Sequence, residues 1–201
     1  MEPRDGVLAA ECGADAIGLI FAQSPRQISV QAAAAIAAEL PPFVTPVGVF
    51  VDSSLDDIRR AREALPSMVI QLHGNESPEF VASLDNAGVI KTLHIPHGAA
   101  ESTALAADAQ RFPSMTLLFD TSVRGSSGGT GVAFDWRIVA PIARDRRVIV
   151  SGGLTPENVS ECVRRVRPFG VDVRSGVESG GRKDPAKMRA FIEAVRNADA
   201  A

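Results

Sequence analysis

Apolar residues gather in seven short runs along the chain: Asp15–Phe21, Pro46–Val51, Met68–His73, Val89–Ile95, Met115–Asp120, Arg147–Ser151 and Val171–Ser175. Within each run, apolar side chains occupy successive positions rather than alternate ones. That pattern belongs to parallel strands covered on both faces. The segments between them carry helix signals. Ser77-Pro78, Thr155-Pro156 and Asp184-Pro185 each set a capping side chain before a first-turn proline. In the last segment Met188, Phe191, Ile192 and Val195 recur at helical spacing and form one core-facing stripe. The first segment is also helical, with Pro3 in its opening turn and Gly13 as its stop, so a helix precedes the first strand.

Strand starts recur about every 20 to 32 residues, one strand–helix unit each time. Seven strands and eight helices, helix first, match a (β/α)8 barrel whose first strand is not in this sequence. An open doubly wound sheet also alternates, but seldom with this many equal units in 201 residues. The expectation is a single domain, 1–201, of the α/β class, N-terminally truncated, with a frayed Ala-rich tail at about 198–201.

Composition changes this picture little. Hydrophobic residues make up 45% and charged residues 22%, the balance of an ordinary globular domain. No apolar run reaches the ~18 residues of a membrane span, and the N-terminus lacks a signal-peptide pattern. A cytoplasmic location is expected. The net charge is −3 with scattered basic residues, so neither nucleic acid nor a membrane surface is an expected partner. The densest basic group, Arg144, Arg146 and Arg147, reads as a solvated connection. Cys12 and Cys162 lack metal-type spacing and read as reduced thiols packed on helices.

In a barrel of this kind the chemistry sits at the C-terminal ends of the strands. "LLFDTSVRGSSGGTG" ends a run with Asp120. A carboxylate at an apolar mouth suits a general acid, because desolvation disfavours its charged form. The same residue type also organises loops, and this stretch alone leaves both open. The following Gly125–Gly131 segment reads either as a closing loop or as plain surface. "IVSGGLTPEN" and "VDVRSGVESGG" end the last two strands, where glycines let backbone amides approach a phosphate. Arg26 in "SPRQIS" is placed to grip a carboxylate or to lie on the surface. His73 in "QLHGNE" is a proton shuttle, a ligand contact or a rim residue, and nothing is spaced to make a metal site with it. His94 and His97 flank Pro96 and read as loop residues.

Taken together, "GADAIGLIF", "SPRQIS", "VGVFVD", "QLHGNE", "FDT", "GGTG", "SGGLTPENV" and "VDVRSGVE…G.KD" resemble the phosphoribosylanthranilate isomerases of tryptophan biosynthesis, from about Pro3 to Phe191. The resemblance implies a TIM barrel and an Amadori rearrangement of N-(5-phosphoribosyl)anthranilate to the carboxyphenylamino deoxyribulose phosphate, without metal or organic cofactor. It implies Asp120 as general acid and Arg26 as holder of the anthranilate carboxylate. Gly152, Gly153, Ser175 and Gly176 match the phosphate loops, and His73 and Asp172 match positions lining the site. The implied partner is a small phosphorylated substrate, and the protein is expected as a monomer or homodimer.

Two departures stand out. The family's general base is a cysteine in a K-[IV]-C-G motif on the first strand, and this sequence has no such motif. Cys12 lies roughly 15 Å along the first helix, at the wrong end to replace it. The chain as written is therefore expected to be dead or nearly so. Arg174 stands where the family usually has a small polar residue. The competing readings are a non-catalytic phosphosugar-binding barrel remnant and another phosphosugar isomerase or epimerase barrel.

Overall fold

The computed structural model describes residues 3–84, 88–96, 102–122 and 134–200. The Gly125–Gly131 loop and His97 lie outside the described residues. Seven strands form one sheet in chain order: β1 Ala16–Ile20, β2 Thr45–Phe50, β3 Val69–Leu72, β4 Val89–Pro96, β5 Thr116–Ser122, β6 Val148–Val150 and β7 Gly170–Val171. The pairs β1–β2, β2–β3, β5–β6 and β6–β7 are parallel, as their unbroken apolar runs require. This is the strand order of a (β/α)8 fold, and the described residues supply seven strands of its sheet. A two-stranded antiparallel hairpin, β8 Glu178–Ser179 with β9 Arg182–Lys183, was not foreseen.

By compactness the chain divides into two units, Met1–Ile90 and Lys91–Ala201. The first holds α1 Pro3–Glu11, β1, α2 Val30–Ala38, β2, α3 Leu55–Ala64, β3, α4 Pro78–Ala82 and the start of β4. Its core includes Leu19, Ile36, Phe50, Ile58, Ile70 and Leu72, all essentially out of solvent. Side-chain oxygens of Ser29, Ser54 and Ser77 cap α2, α3 and α4, each accepting from the amide three residues on. Cys12 falls just past the last residue of α1, half-buried in its closing turn.

The second unit holds the rest of β4, α5 Ser102–Gln110, β5, a short 3-10 turn Trp136–Ile138, α6 Ala140–Ala143, β6, α7 Val159–Val166, β7, a second 3-10 turn Ser175–Val177, the hairpin and α8 Pro185–Asp199. Leu117, Leu118, Phe119, Val139, Val148 and Val150 form its centre. Met188 and Phe191 of α8 are buried, Ile192 and Val195 half-buried, so the expected stripe does face inward. Asp184 caps α8 by accepting from the amides of Ala186 and Lys187.

Four expectations need correction. The last strand stops at Val171 instead of Ser175, because Arg174 (φ −119°, ψ −78°) turns the chain into a 3-10 helix. Regular helix α7 begins at Val159, not at Pro156. Thr155 does start the turn, its carbonyl accepting from Asn158 and Val159, but Asn158 spends its side chain on the preceding loop. Helix α8 runs to Asp199 with Ala198 buried, past the point where fraying was expected. Finally, Arg146 is no solvated connection. It donates to the carbonyls of Ala109, Phe112 and Met115, and burial lowers its pKa from the ordinary guanidinium value.

Candidate active site

Asp120 is the fifth residue of β5 and is buried, with 7% of its surface exposed. The next residue, Thr121, is buried too, and both lie against Gly152 at the end of β6. Gly152 has φ +83°, and a Cβ there would overlap Thr121 Oγ1 and stand 2.7 Å from Thr121 N and 2.8 Å from Asp120 Oδ1. Only glycine fits. The first glycine of "SGGLTPEN" is thus set by close approach to Thr121 first and to the Asp120 carboxylate beside it, an origin that the letters alone do not show.

The loop after β6 is tied down by one side chain. Asn158 Oδ1 accepts from Thr155 N at 2.8 Å, and its Nδ2 donates to Gly153 O at 2.9 Å. This amide bridges both ends of Gly153–Thr155 and fixes how the loop enters α7. Beside it, a hydrogen bond from the Thr155 side chain, more than any other influence, holds the Glu157 carboxyl below its usual value. The loop after β7 meets this one directly. A Cβ on Gly176 would overlap the Leu154 carbonyl oxygen and stand 3.1 Å from Thr155 Cα, so the two glycine-bearing loops touch backbone to backbone. The turn that carries Ser175 and Gly176 therefore lies against the loop that follows Gly152 and Gly153.

Asp172 follows β7 and is exposed. Its Oδ2 accepts from Ser151 Oγ at 3.0 Å, and its amide bonds the Val150 carbonyl at 2.9 Å. Ser151, buried at the end of β6, was missed from the sequence. A serine that ends a buried run next to a double glycine is the signal that identifies it. His94 also departs from expectation: it lies on β4, exposed, and offers a ring nitrogen within 4.8 Å of an Asp120 carboxylate oxygen. The proline at position 96 ends the strand, not the residue before it.

In the first unit, Arg26 is half-buried in the loop after β1. Its amide donates to Ser24 Oγ at 3.2 Å, and Gln27 pins the loop by donating to Phe21 O at 2.9 Å. His73 follows β3, half-buried, with Nδ1 3.1 Å from Gln71 Nε2. The neighbouring Glu76 is buried and accepts from the amides of Asp52 and Gly74, which makes it an organiser of the strand ends. Burial pushes the Cys162 thiol up to about 12, so this cysteine is packing and not chemistry.

A family model for N-(5'-phosphoribosyl)anthranilate isomerase matches residues 2–194. The chain belongs to that family. The N-(5'-phosphoribosyl)anthranilate isomerase of Pseudomonas fluorescens (strain SBW25) is 45% identical over 200 residues, 98% of this chain and 93% of its own length. The one from Desulforudis audaxviator is 42% identical over 190 residues, 94% of this chain and 91% of its own. Among solved structures, the phosphoribosyl anthranilate isomerase of Thermotoga maritima superposes with a TM-score of 0.86 at 36% identity, covering 96% of this chain and 94% of that one. A second structure, an isomerase in complex with reduced 1-(o-carboxyphenylamino)-1-deoxyribulose 5-phosphate, gives 0.82 at 35% identity, covering 96% and 93%. Family membership makes this an isomerase of tryptophan biosynthesis with the (β/α)8 fold. Among the described residues, no helix is long and apolar enough to cross a membrane.

Proposed function

We propose that Asp120 is the general acid of the Amadori rearrangement of N-(5'-phosphoribosyl)anthranilate, and that the paired loops after β6 and β7 hold the substrate's phosphate. The observation that supports this reading is the closeness of Gly152 to Asp120, since a Cβ on Gly152 would stand 2.8 Å from Asp120 Oδ1, which puts the acid beside the loop proposed to hold the phosphate. In 5-phosphoribosyl substrates only a short stretch of sugar separates the phosphate from the ring oxygen. An acid bordering the phosphate loop is thus well placed to protonate that oxygen as the ring opens.

In this reading Asp120 gives its proton to the furanose oxygen, and the C1–O bond opens to a Schiff base with the anthranilate nitrogen. A base removes the C2 proton, and the resulting enolamine tautomerises to the aminoketose. The family's base is a cysteine on its first strand, and that motif is not in this sequence. Amides of Gly152, Gly153, Ser175 and Gly176 bind the phosphate, since neutral donors hold an anion without changing their own charge. Arg26 takes the anthranilate carboxylate as a fork of two parallel bonds. His73 and Asp172 line the substrate, with Ser151 orienting Asp172. The protein acts in the cytoplasm as a monomer or homodimer, and a relative from Thermotoga maritima is described as dimeric.

The test is calorimetric titration of the reduced product analogue into the chain, with inorganic phosphate as competitor. The reading expects micromolar binding of the analogue and its displacement by phosphate. An analogue that binds with no competition from phosphate would remove the phosphate assignment.

A further inference from the structure

The hairpin that follows the 3-10 turn Ser175–Val177 carries a largely buried ion pair with a specific attachment. Lys183 Nζ lies 3.3 Å from Glu178 Oε1, and the two side chains are only 14% and 10% exposed. The same ammonium donates to the carbonyl oxygen of Arg174 at 2.9 Å. Glu178 and Lys183 face each other in the register of β8 and β9, whose turn uses Gly180 (φ +58°) and Gly181 (φ +77°). The hairpin is also fixed to α8. Lys187 Nζ donates to Glu178 O at 2.8 Å, and Ser179 Oγ donates to the capping carboxylate of Asp184 at 2.7 Å. The hydrogen bond from Ser179 is the largest of several that hold the Asp184 carboxyl below its usual range.

The Arg174 carbonyl belongs to the same planar peptide unit as the Ser175 N–H, and in a trans peptide the two point in opposite directions. A cation fixed on the oxygen therefore sets the direction of the N–H on the far side. It also polarises the unit, which makes that N–H a stronger donor. We propose that Lys183 is a positioning residue for the phosphate loop: anchored by Glu178, it grips the Arg174 carbonyl and so aims the Ser175 amide at the bound phosphate. This rests on the phosphate reading given above. The carboxylate serves a second purpose, since it balances the lysine's charge and leaves recognition to the oriented amide. Lys183 touches no substrate and acts through the peptide.

Lys183→Met removes the ammonium and keeps an apolar stem of similar length. Inorganic phosphate titrated calorimetrically into the parent and the variant is expected to bind about tenfold more weakly to Lys183→Met, the effect of one lost charge-assisted contact. Lys183→Arg is expected to stay within about threefold of the parent. In a chain extended by a relative's first strand, the variant should raise KM and leave kcat within about twofold, because the acid is unaffected. A lysine that merely closed the hairpin would lower the melting temperature and leave phosphate affinity unchanged, and that result overturns the proposal. Should Lys183→Met fail to fold, Glu178→Gln replaces it with an expected loss of about threefold in phosphate affinity, and no loss would be equally fatal. A parent chain that binds no phosphate defeats the phosphate reading and this proposal with it. Binding to the parent with equal binding to the variants defeats only the tether.

Discussion

Gly152→Ala puts a single methyl group at the contact between the β6 loop and Asp120. Two costs follow from the structure. A Cβ at φ +83° carries the left-handed penalty of about 1–2 kcal/mol. The same atom would stand 2.7 Å from the Thr121 amide nitrogen, and backbone yields less readily than a side chain. Together they predict a loss of about 2–4 kcal/mol in unfolding free energy, which in a chain of this size corresponds to a fall of about 5–15 °C in melting temperature. Relaxation must also push Asp120 or the loop aside, since the Cβ stands 2.8 Å from Oδ1. Phosphate affinity should drop along with stability. Urea unfolding followed by circular dichroism, paired with phosphate titration of the folded variant, measures both. A variant as stable as the parent, with unchanged phosphate binding, would mean that the loop does not approach Asp120 as described.

Further predictions follow from other parts of the fold. Arg146→Met removes a charged donor from three carbonyls, of which those of Ala109 and Phe112 keep a backbone amide, and should cost about 2 kcal/mol in urea unfolding, with no change in ligand binding. Cys162, its thiol pushed up to about 12, should resist alkylation at pH 8 in the native protein and label only after unfolding, as read by mass spectrometry. Asp184 has a depressed folded-state pKa, set first by its Ser179 hydrogen bond, so its stabilisation is present above its unfolded pKa near 4 and lost as pH falls through the folded value. Asp184→Asn should therefore lower the urea midpoint at pH 6 more than at pH 2.5.

Much of this was legible in the sequence because parallel strands buried on both faces leave unbroken apolar runs, and Pro-capped helix starts punctuate the intervals. The first six strands of the sheet lie within or across those runs, and β7 meets its run only at Val171. Asp120 and Gly152-Gly153 were visible because they lie at the ends of such runs, whereas the second double glycine, Gly180-Gly181, turns the β8–β9 hairpin and does not end a strand of the main sheet. What stayed hidden depends on contacts between segments distant along the chain. Nothing in "RDRRV" shows that Arg146 reaches three carbonyls of the preceding α5–β5 connection. "VDVRSGVESGG" reads as one glycine-bearing strand end until the pairing of Glu178 with Lys183 shows its last residues to belong to a hairpin. The shortness of β7 is likewise hidden, since the chain turns at Arg174 into a 3-10 helix whose Gly176 packs on the loop after β6. His94 reads as a loop residue beside Pro96, yet it lies within the run Val89–Ile95, and β4 carries it on through Pro96.

The central claim is that Asp120 donates the proton that opens the sugar ring. The direct measurement compares turnover of N-(5'-phosphoribosyl)anthranilate by the parent and by Asp120→Asn, both extended by a relative's first strand so that the family's base is supplied. The substitution keeps the shape and a hydrogen-bonding group while removing the transferable proton. The account predicts a fall in kcat of about 10²–10⁴, with the reduced product analogue bound within about threefold of the parent. Turnover within about threefold of the parent would contradict it, and would make Asp120 a carboxylate that only organises the loop at Gly152.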